Sequence, residues 1–544
     1  MFPILLGFLF TLCTYIGQHN GLLERRYSTL IISCIFFCIF FALSFHTFEQ
    51  FLLSERTHHE NKLFRFLPLT SSPISIIIST LVLILFWIPY LIAAYPGIFW
   101  YDTSWQVYDL VSSSDGISDH HPFFTTYLFG VFIHLGQILF HNPIIGLYLL
   151  TTLQLFITAF ALASAICTIE RYNIPWHIRA LLLTFFAICP FFPMIFSTLA
   201  KDTLNLPFFL FFVICILEIH HTQGKSLRKI PFSILFTLDI LLMSLTKKTC
   251  IYIAVFCLLS LFFILKEKYE RIAVSLTILT TSGIIIFLLP TFLYPVLHIE
   301  HGENSELLAL PLQQVANLAK NNKDAISPED QDILETIYGQ SLDSLASSYL
   351  FYVADPIKSN VNIPSNLLDD FIRIWAKYLI LSPSDYIAAW GGLNTAWFSF
   401  DIQTPTDTTP NMITVQYSSA HYMQGLDSYI QWPQDTLANN TVTDFYQNNL
   451  LTTPLVNTFF YKSLWSSILP FFLMFIVCRK KQHLKDNLIL LSPILVTCLT
   501  LYVGPTSSYR EATRYVLPLV CTIPIISVII FQRQRTDNTL TKGM

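Results

Sequence analysis

Long apolar runs separated by short polar loops dominate this chain. Many of the runs reach the roughly 20 residues that a helix needs to cross a lipid bilayer, and the apolar–polar alternation typical of barrel strands is absent. The pattern therefore predicts an all-α polytopic membrane protein with about 12–13 transmembrane helices. The thirteen candidate spans are 3–17, 28–53, 74–95, 123–140, 143–169, 178–199, 203–219, 230–246, 249–265, 272–298, 458–478, 486–503 and 514–531.

One long polar region interrupts this pattern between residues 299 and 457. It is rich in Asn, Asp, Ser and Pro, and it is far longer than an ordinary connecting loop. Helix-like stretches such as "DDFIRIWAKYLI" predict a folded extramembrane domain, mostly helical or irregular. The predicted organisation is an N-terminal pair of additional membrane segments (1–73), a membrane core (74–298) with a first outer loop (96–122), the extramembrane domain (299–457) and C-terminal membrane segments with a short cytoplasmic tail (458–544).

The distribution of Lys and Arg predicts the orientation of the spans. "RKKQHLK", Arg479 to Lys485, is the most basic short loop, and such loops remain in the cytoplasm. The domain 299–457 is then extracytoplasmic. Loop 96–122 contains no Lys or Arg and fits the outer side, but thirteen alternating crossings would place it inside. The conflict disappears if segment 123–140 does not cross, which leaves twelve crossings and two cytoplasmic termini.

The overall composition narrows the functional classes. Of the 544 residues, 53% are hydrophobic and 12% are charged, and the net charge is −4. This composition offers no basic surface for nucleic acid. All eleven Cys lie in or beside apolar segments and none lies in 299–457, which excludes disulfides in that domain and predicts that the cysteines are small apolar fillers. The expected location is the cell membrane.

The first outer loop contains the most unusual polar residues. It begins "YPGIFWYDTSWQ", where Asp102 and Gln106 share one face of a short predicted helix, and it ends with His120, His121 and Pro122. Ionisable groups at a membrane edge cost desolvation energy unless they are partnered, and they often mark functional sites. Capping of a helix by Asp102 is the alternative. The aromatic residues of this loop suit an interfacial belt: Trp100, Tyr101, Trp105 and Tyr108.

Further charged residues lie at three later outer edges. The guanidinium and ammonium groups at these edges suit a phosphate ligand. Arg510 and Arg514 are four residues apart and share one face if their segment is helical. Snorkelling, helix capping and local ion pairing remain alternatives at each position. The P-loop, HExxH and G-x-S-x-G motifs are absent. The substrate-binding candidates are Lys201, Asp202, Lys247, Lys248, Arg510, Arg514 and Tyr515.

The order of these motifs resembles the GT-C class of membrane glycosyltransferases. The motifs are "YPGIFWYD", "DHHPF", "KD" and "RYVLP", and the pattern with a later "PLQQ" is most similar to a bacterial multi-spanning membrane family without an assigned function. The resemblance spans most of residues 74–531 and implies a polyprenyl-phosphate-linked sugar donor used on the outer face. In such enzymes the acid at the position of Asp102 serves as base or acceptor ligand. Some members use a divalent metal ion, but the first loop here lacks a paired Asp-x-Asp.

The leading hypothesis is therefore a GT-C-like glycosyltransferase that transfers a sugar from a polyprenyl-phosphate-linked donor to an extracytoplasmic glycan, lipid or protein acceptor. Membrane lipid is a further expected partner. Asp102 is the predicted base, with His120 or His121 orienting it. The alternatives are a transporter or flippase of lipid-linked saccharide and a polysaccharide polymerase or ligase. A transporter would place ionisable residues near mid-span, whereas most here lie at span ends, which favours an enzyme.

Overall fold

The chain is helical throughout the part that the computed structural model describes. That part comprises residues 1–23, 27–53, 67–112, 116–302, 304–359, 361, 363–401, 411–419, 425–479 and 483–542, and within it only isolated β-bridges occur instead of strands. Eight helices in these ranges are long and apolar enough to cross a membrane. They are Ser28–Leu52, Pro73–Ala93, Phe123–Phe140, Pro143–Tyr172, Lys201–His221, Lys268–Leu297, Leu484–Val503 and Arg510–Arg535.

Five shorter apolar helices account for the other predicted spans: Phe2–Gln18, Trp176–Ile188, Ile230–Thr246, Cys250–Leu261 and Leu464–Arg479. The predicted span 178–199 is wrong as a single helix, because it breaks into Trp176–Ile188 and Phe191–Phe196. Pro190 causes the break. A proline lacks the amide hydrogen that a continuing helix needs, and it disfavours helical geometry at the preceding residue.

The described residues of the N-terminal half form thirteen α-helices. Helix α12 continues through a π-helical stretch, Gly283–Leu293, into α13. The helices are α1 (Phe2–Gln18), α2 (Tyr27–Leu53), α3 (Pro73–Ala93), α4 (Tyr101–Ser112), α5 (Phe123–Phe140), α6 (Pro143–Thr168), α7 (Trp176–Ile188), α8 (Phe191–Phe196), α9 (Lys201–His221), α10 (Ile230–Thr246), α11 (Cys250–Leu261), α12 (Lys268–Ser282) and α13 (Tyr294–Leu297).

The C-terminal half begins with the polar region and ends with three apolar helices. A π-helical turn, Leu464–Ile468, precedes the first of these three. The helices are α14 (Ala309–Asn321), α15 (Pro328–Tyr338), α16 (Leu342–Ser348), α17 (Asp355–Lys358), α18 (Leu368–Leu381), α19 (Pro383–Leu393), α20 (Thr395–Phe398), α21 (Leu437–Asp444), α22 (Leu469–Arg479), α23 (Leu484–Val503) and α24 (Thr513–Lys542).

Ion pairs between helix termini define one end of the bundle, here called the basic end. Arg228, before α10, lies 3.0 Å from Glu270 in the first turn of α12. Near the end of α24, Arg533 lies 3.5 Å from Asp486 at the start of α23. Arg533 also lies 3.2 Å from His220 at the end of α9, so these basic segments meet at one end of the bundle.

Helices α3 and α6 are antiparallel, and this determines the place of α5. The amide of Ser71, just before α3, donates to Glu170 beyond the end of α6 at 2.7 Å. The Tyr148 hydroxyl near the start of α6 donates to the carbonyl of Leu91 near the end of α3 at 2.6 Å. A complete crossing by α5 would make α3 and α6 parallel. Helix α5 packs beside the half of α6 that lies away from the basic end.

The polar region contains a core of its own and also contributes to the helical bundle. Buried residues of α14, α15, α16, α18 and α19 form one apolar cluster, whereas residues 412–417 belong to the main core of the bundle. The two glutamines of "PLQQ", Gln313 and Gln314, stabilise the core of the polar region. The Gln313 amide donates to the Leu350 carbonyl at 2.5 Å, and Trp375 donates to the Gln314 carbonyl oxygen at 2.8 Å.

Candidate functional site

A short backbone bridge places the first outer loop against the start of α9. The Trp100 amide donates to the Leu199 carbonyl at 3.1 Å, and the Leu199 amide donates to the Ile98 carbonyl at 2.9 Å. Helix α4 begins directly after this bridge and α9 begins directly after Leu199. The bridge therefore brings Asp102, in the first turn of α4, next to Lys201, the first residue of α9.

Asp102 is the centre of a buried charge cluster at the end of the bundle opposite the basic end. Its side chain is almost fully buried, and its Oδ2 atom lies 3.1 Å from Lys201 Nζ and in direct contact with Arg514 Nη1 of α24. Lys201 Nζ also lies 3.0 Å from His121 Nδ1. Four segments that are distant in sequence therefore supply one acid, two cations and one imidazole.

Asp202 forms the second half of the cluster. Its Oδ1 atom lies 2.6 Å from Lys247 Nζ, at the end of α10, and its Oδ2 atom lies 4.0 Å from Arg514 Nε. Both cations face the Tyr515 ring, Lys247 Nζ at 5.3 Å and the Arg514 guanidinium at 5.1 Å from its centroid. Three cations surround two carboxylates, so the cluster carries one net positive charge when His121 is neutral.

Burial and neighbouring charges set the protonation states in the cluster. Burial alone would raise the pKa of Asp102, but the positive charges of Arg514 and Lys201 outweigh it and hold that pKa far below its ordinary value. Burial and the Lys201 charge lower the pKa of His121 well below its ordinary value. Asp102 is thus ionised and His121 neutral at pH 7, and the His121 Nδ1 atom accepts a hydrogen bond from the Lys201 ammonium.

Gln106 connects the cluster to α5. It lies one turn after Asp102 and is fully buried. Its Oε1 atom accepts hydrogen bonds from the hydroxyls of Thr125 at 2.7 Å and Thr126 at 3.2 Å, and its amide donates to the Asp102 carbonyl at 3.3 Å. Gln106 therefore positions α4 against α5, and its side chain is already occupied in this way.

The remaining residues of the "DHH" motif lie at the rim of the cluster. Asp119 Oδ2 lies 2.8 Å from Lys248 Nζ, so Lys248 is paired here and not with Asp102. His120 is exposed, and its Nε2 atom lies 3.9 Å from Glu306 Oε1. The structure thus separates the two histidines, with His121 inside the cluster and His120 outside it.

Two functional candidates were missed by sequence reasoning, Glu306 and Lys358 of the polar region. Their side chains approach to 2.5 Å, and Glu306 also faces His120. Burial opposes ionisation of both groups, but the Lys358 charge lowers the pKa of Glu306, and the charges of Asp355 and Glu306 raise the pKa of Lys358. No motif in the sequence marks this pair, because its members are separated by about fifty residues of unpatterned polar chain.

Arg510 does not belong to the cluster, contrary to the prediction that it shares a helix face with Arg514. Residues Arg510–Ala512 form a 3₁₀ turn, and α24 begins only at Thr513. Because a 3₁₀ turn has three residues per turn, the two arginines point apart: Arg510 is exposed and Arg514 is buried. The prediction that Trp100 belongs to the interfacial belt is also wrong, because its side chain is buried.

The cluster does not suit a divalent metal ion. Asp102 and Asp202 are each engaged by cations, and the described residues contain no group of three or more His, Cys, Asp or Glu side chains placed to hold a metal. A metal ion would need both carboxylates to lose these partners. Proton and phosphate chemistry fits the cluster better.

The long apolar helices are those of a polytopic helical membrane protein, and a buried charge cluster lies at one end of their bundle. A family model matches residues 108–544, and the chain belongs to this family, described as a family of unknown function (DUF6020). The match includes His121, Lys201, Lys247 and Arg514, whereas Asp102 and Gln106 precede its first residue. No curated protein matches the chain.

Proposed function

We propose that this chain is a GT-C-like glycosyltransferase that transfers a sugar from a polyprenyl-phosphate-linked donor to a glycan, lipid or protein acceptor. The observation that carries the proposal is the single net positive charge of the buried cluster around Asp102. A sugar joined to a polyprenyl phosphate is a phosphodiester with one negative charge. The charge of the cluster and that of the donor therefore match without an added metal ion.

In this mechanism the donor phosphate takes the place of Asp102 beside Arg514 and Lys201. Guanidinium and ammonium groups bind phosphate oxygens strongly in a buried site. Asp102 is a weak base while both cations hold it, and it becomes a stronger base when the phosphate engages them. Donor binding and activation of the base are then one event.

The transfer itself is a direct displacement at the anomeric carbon. The acceptor hydroxyl gives its proton to Asp102, and its oxygen forms a bond to the anomeric carbon. The bond from that carbon to the phosphate oxygen breaks, and its electron pair stays with the polyprenyl phosphate. Arg514, Lys201 and Lys247 stabilise the second negative charge that appears on the leaving phosphate.

Replacement of Arg514 by Ala is expected to weaken use of the donor. Loss of a charge-assisted contact to phosphate corresponds to about a ten-fold or larger fall in transfer at low donor concentration, because less donor is bound. Transfer is measured with the protein in vesicles as release of polyprenyl phosphate, across a series of donor concentrations. Arg510→Ala is the matched control, since it removes the same group from an exposed position four residues away. Equal effects of the two substitutions would remove Arg514 from the phosphate site.

The proposed orientation predicts which residues face the outside of the cell. Leu437 of the polar region is 86% exposed, and Lys266 is exposed at the basic end. A membrane-impermeant thiol reagent should label Leu437→Cys in intact cells but label Lys266→Cys only after the membrane is opened. The native cysteines give little background because all eleven are buried or half-buried. The reverse pattern of labelling would invert the proposed topology.

Envelope glycans test the activity as a whole. Cells that lack the protein should lose one sugar linkage from an envelope glycan, and the wild-type protein should restore it. A transporter would instead carry the intact lipid-linked saccharide across the bilayer and release no polyprenyl phosphate. Vesicles that accumulate translocated saccharide with no loss of the sugar–phosphate bond would favour that alternative.

A further inference from the structure

A second site lies in the polar region, outside the charge cluster. A cavity of about 690 Å³ is lined by Ser419, Asp427, Gln431, Trp432, Pro433, Gln434 and Asp435. This volume lies within the range of ordinary small-molecule sites. Among the described residues, the lining contains two carboxylates, two primary amides, a hydroxyl and one indole, and it contains no cation.

The cavity is built against the helix that carries Asp102. The Trp432 ring packs edge-on against Phe99 with centroids 5.2 Å apart, and the Tyr429 ring packs against Tyr108 of α4 at 6.1 Å. Leu426 and Ile430 are buried in the same apolar cluster as Val107 of α4. The segment that forms the cavity therefore rests on α4 and on the residues leading into it.

Ser419 is a buried residue at the edge of the cavity. Its side chain is 2% exposed, and its Oγ atom has no hydrogen-bond partner within the described part of the chain. A buried hydroxyl without a partner costs free energy. The Ser419 backbone is held in place, because its amide donates to the Asp435 carboxylate. The contact between Ser419 and Asp435 therefore fixes two segments of the cavity wall against each other.

We infer that this cavity binds a neutral, hydroxyl-rich saccharide, which is the acceptor if the proposed function holds. Carboxylates and primary amides offer fixed acceptors and donors to vicinal hydroxyl groups, and an indole supplies an apolar face with a polar edge. Asp427 and Asp435 repel anionic sugars such as uronates.

Binding to the full-length protein in detergent or lipid discs tests this inference. The probes are neutral gluco-, manno- and galacto-configured trisaccharides and tri-N-acetylchitotriose, with trigalacturonate as the anionic probe. Ligand-observed saturation-transfer NMR should detect at least one neutral probe and not the uronate. Gln431→Ala and Gln434→Ala should each weaken that binding about five-fold or more, because each removes hydrogen bonds to the ligand.

Asn440→Ala is the matched control, since Asn440 is an exposed amide on α21 outside the cavity lining. It should leave the affinity unchanged. Absence of binding by every neutral probe, preferential binding of the uronate, or equal effects of Gln431→Ala and Asn440→Ala would each overturn the inference. Asp102→Asn should keep saccharide binding while it loses transfer. A result against saccharide binding in the cavity can therefore be distinguished from a result against sugar transfer.

Discussion

Replacement of Asp102 by Asn is expected to abolish sugar transfer. A positioned base contributes about 10²–10⁴-fold to the rate of proton removal, and an amide cannot take the proton. Asn has the same shape, so α4 keeps its backbone contacts with Leu199. The measurement is release of polyprenyl phosphate in vesicles, with the amount of folded protein determined by size-exclusion chromatography of the same preparation.

Asp109→Asn is the matched control for this experiment. It makes the same chemical change seven residues later on α4, outside the Asp102 cluster, and should keep near-normal transfer. Transfer by Asp102→Asn at the wild-type rate would remove Asp102 from the base role.

Loss of folding is a separate way in which Asp102→Asn can fail. The substitution leaves the buried cations Arg514 and Lys201 without their anion, and breaking a buried ion pair in this way costs about 3–5 kcal/mol. The double variant Asp102→Asn with Arg514→Gln removes one of these uncompensated charges and should recover stability. It should not recover transfer. A double variant that is stable and active would show that the pair serves only to hold the helices together.

The helices of this protein were largely predictable from sequence. An apolar run inside a bilayer has no water to bond its backbone amides and carbonyls, so it must pair them within a helix. Most of the thirteen runs became one continuous helical segment each; 178–199 breaks at Pro190, and 458–478 breaks at Tyr461, which has extended backbone geometry. That segment 123–140 does not cross is a prediction from the charge pattern of its neighbours, and by length and composition alone Phe123–Phe140 could cross a membrane. What the pattern lacked was the relative direction of α3 and α6, which depends on contacts between distant residues.

The candidate site was predictable only in part, for a related reason. Asp102, Lys201 and Arg514 stood out individually as charges at apolar boundaries, which are costly wherever they occur. Their pairing depends on how α4, α9 and α24 meet, and no local pattern encodes that. The same limit explains Arg510, whose exposure follows from a single 3₁₀ turn, and Glu306, which becomes significant only through its contact with Lys358.

Replacement of Gly146 by Ala is expected to destabilise the protein more than any other single methyl addition discussed here. A Cβ atom at this position would lie 1.8 Å from the carbonyl oxygen of Phe132 and 2.9 Å from the amide nitrogen of Gly136. Both are backbone atoms, so α5 and α6 must move apart. Overpacking of this kind costs about 1–3 kcal/mol or more, and it should lower the midpoint of thermal unfolding in detergent by several degrees.

Gly283→Ala separates this packing effect from the general effect of adding a methyl group to a helix. Gly283 also lies in a helical segment, but no heavy atom lies within 4 Å of the position its Cβ would take. Alanine there should leave the unfolding midpoint unchanged or raise it, because glycine in a helix interior is unfavourable by about 0.5–1 kcal/mol relative to alanine. Equal midpoints for the two variants would contradict the close contact of α5 with α6. Since Thr125 and Thr126 of α5 hold Gln106, Gly146→Ala should also lower transfer at temperatures where the protein remains folded.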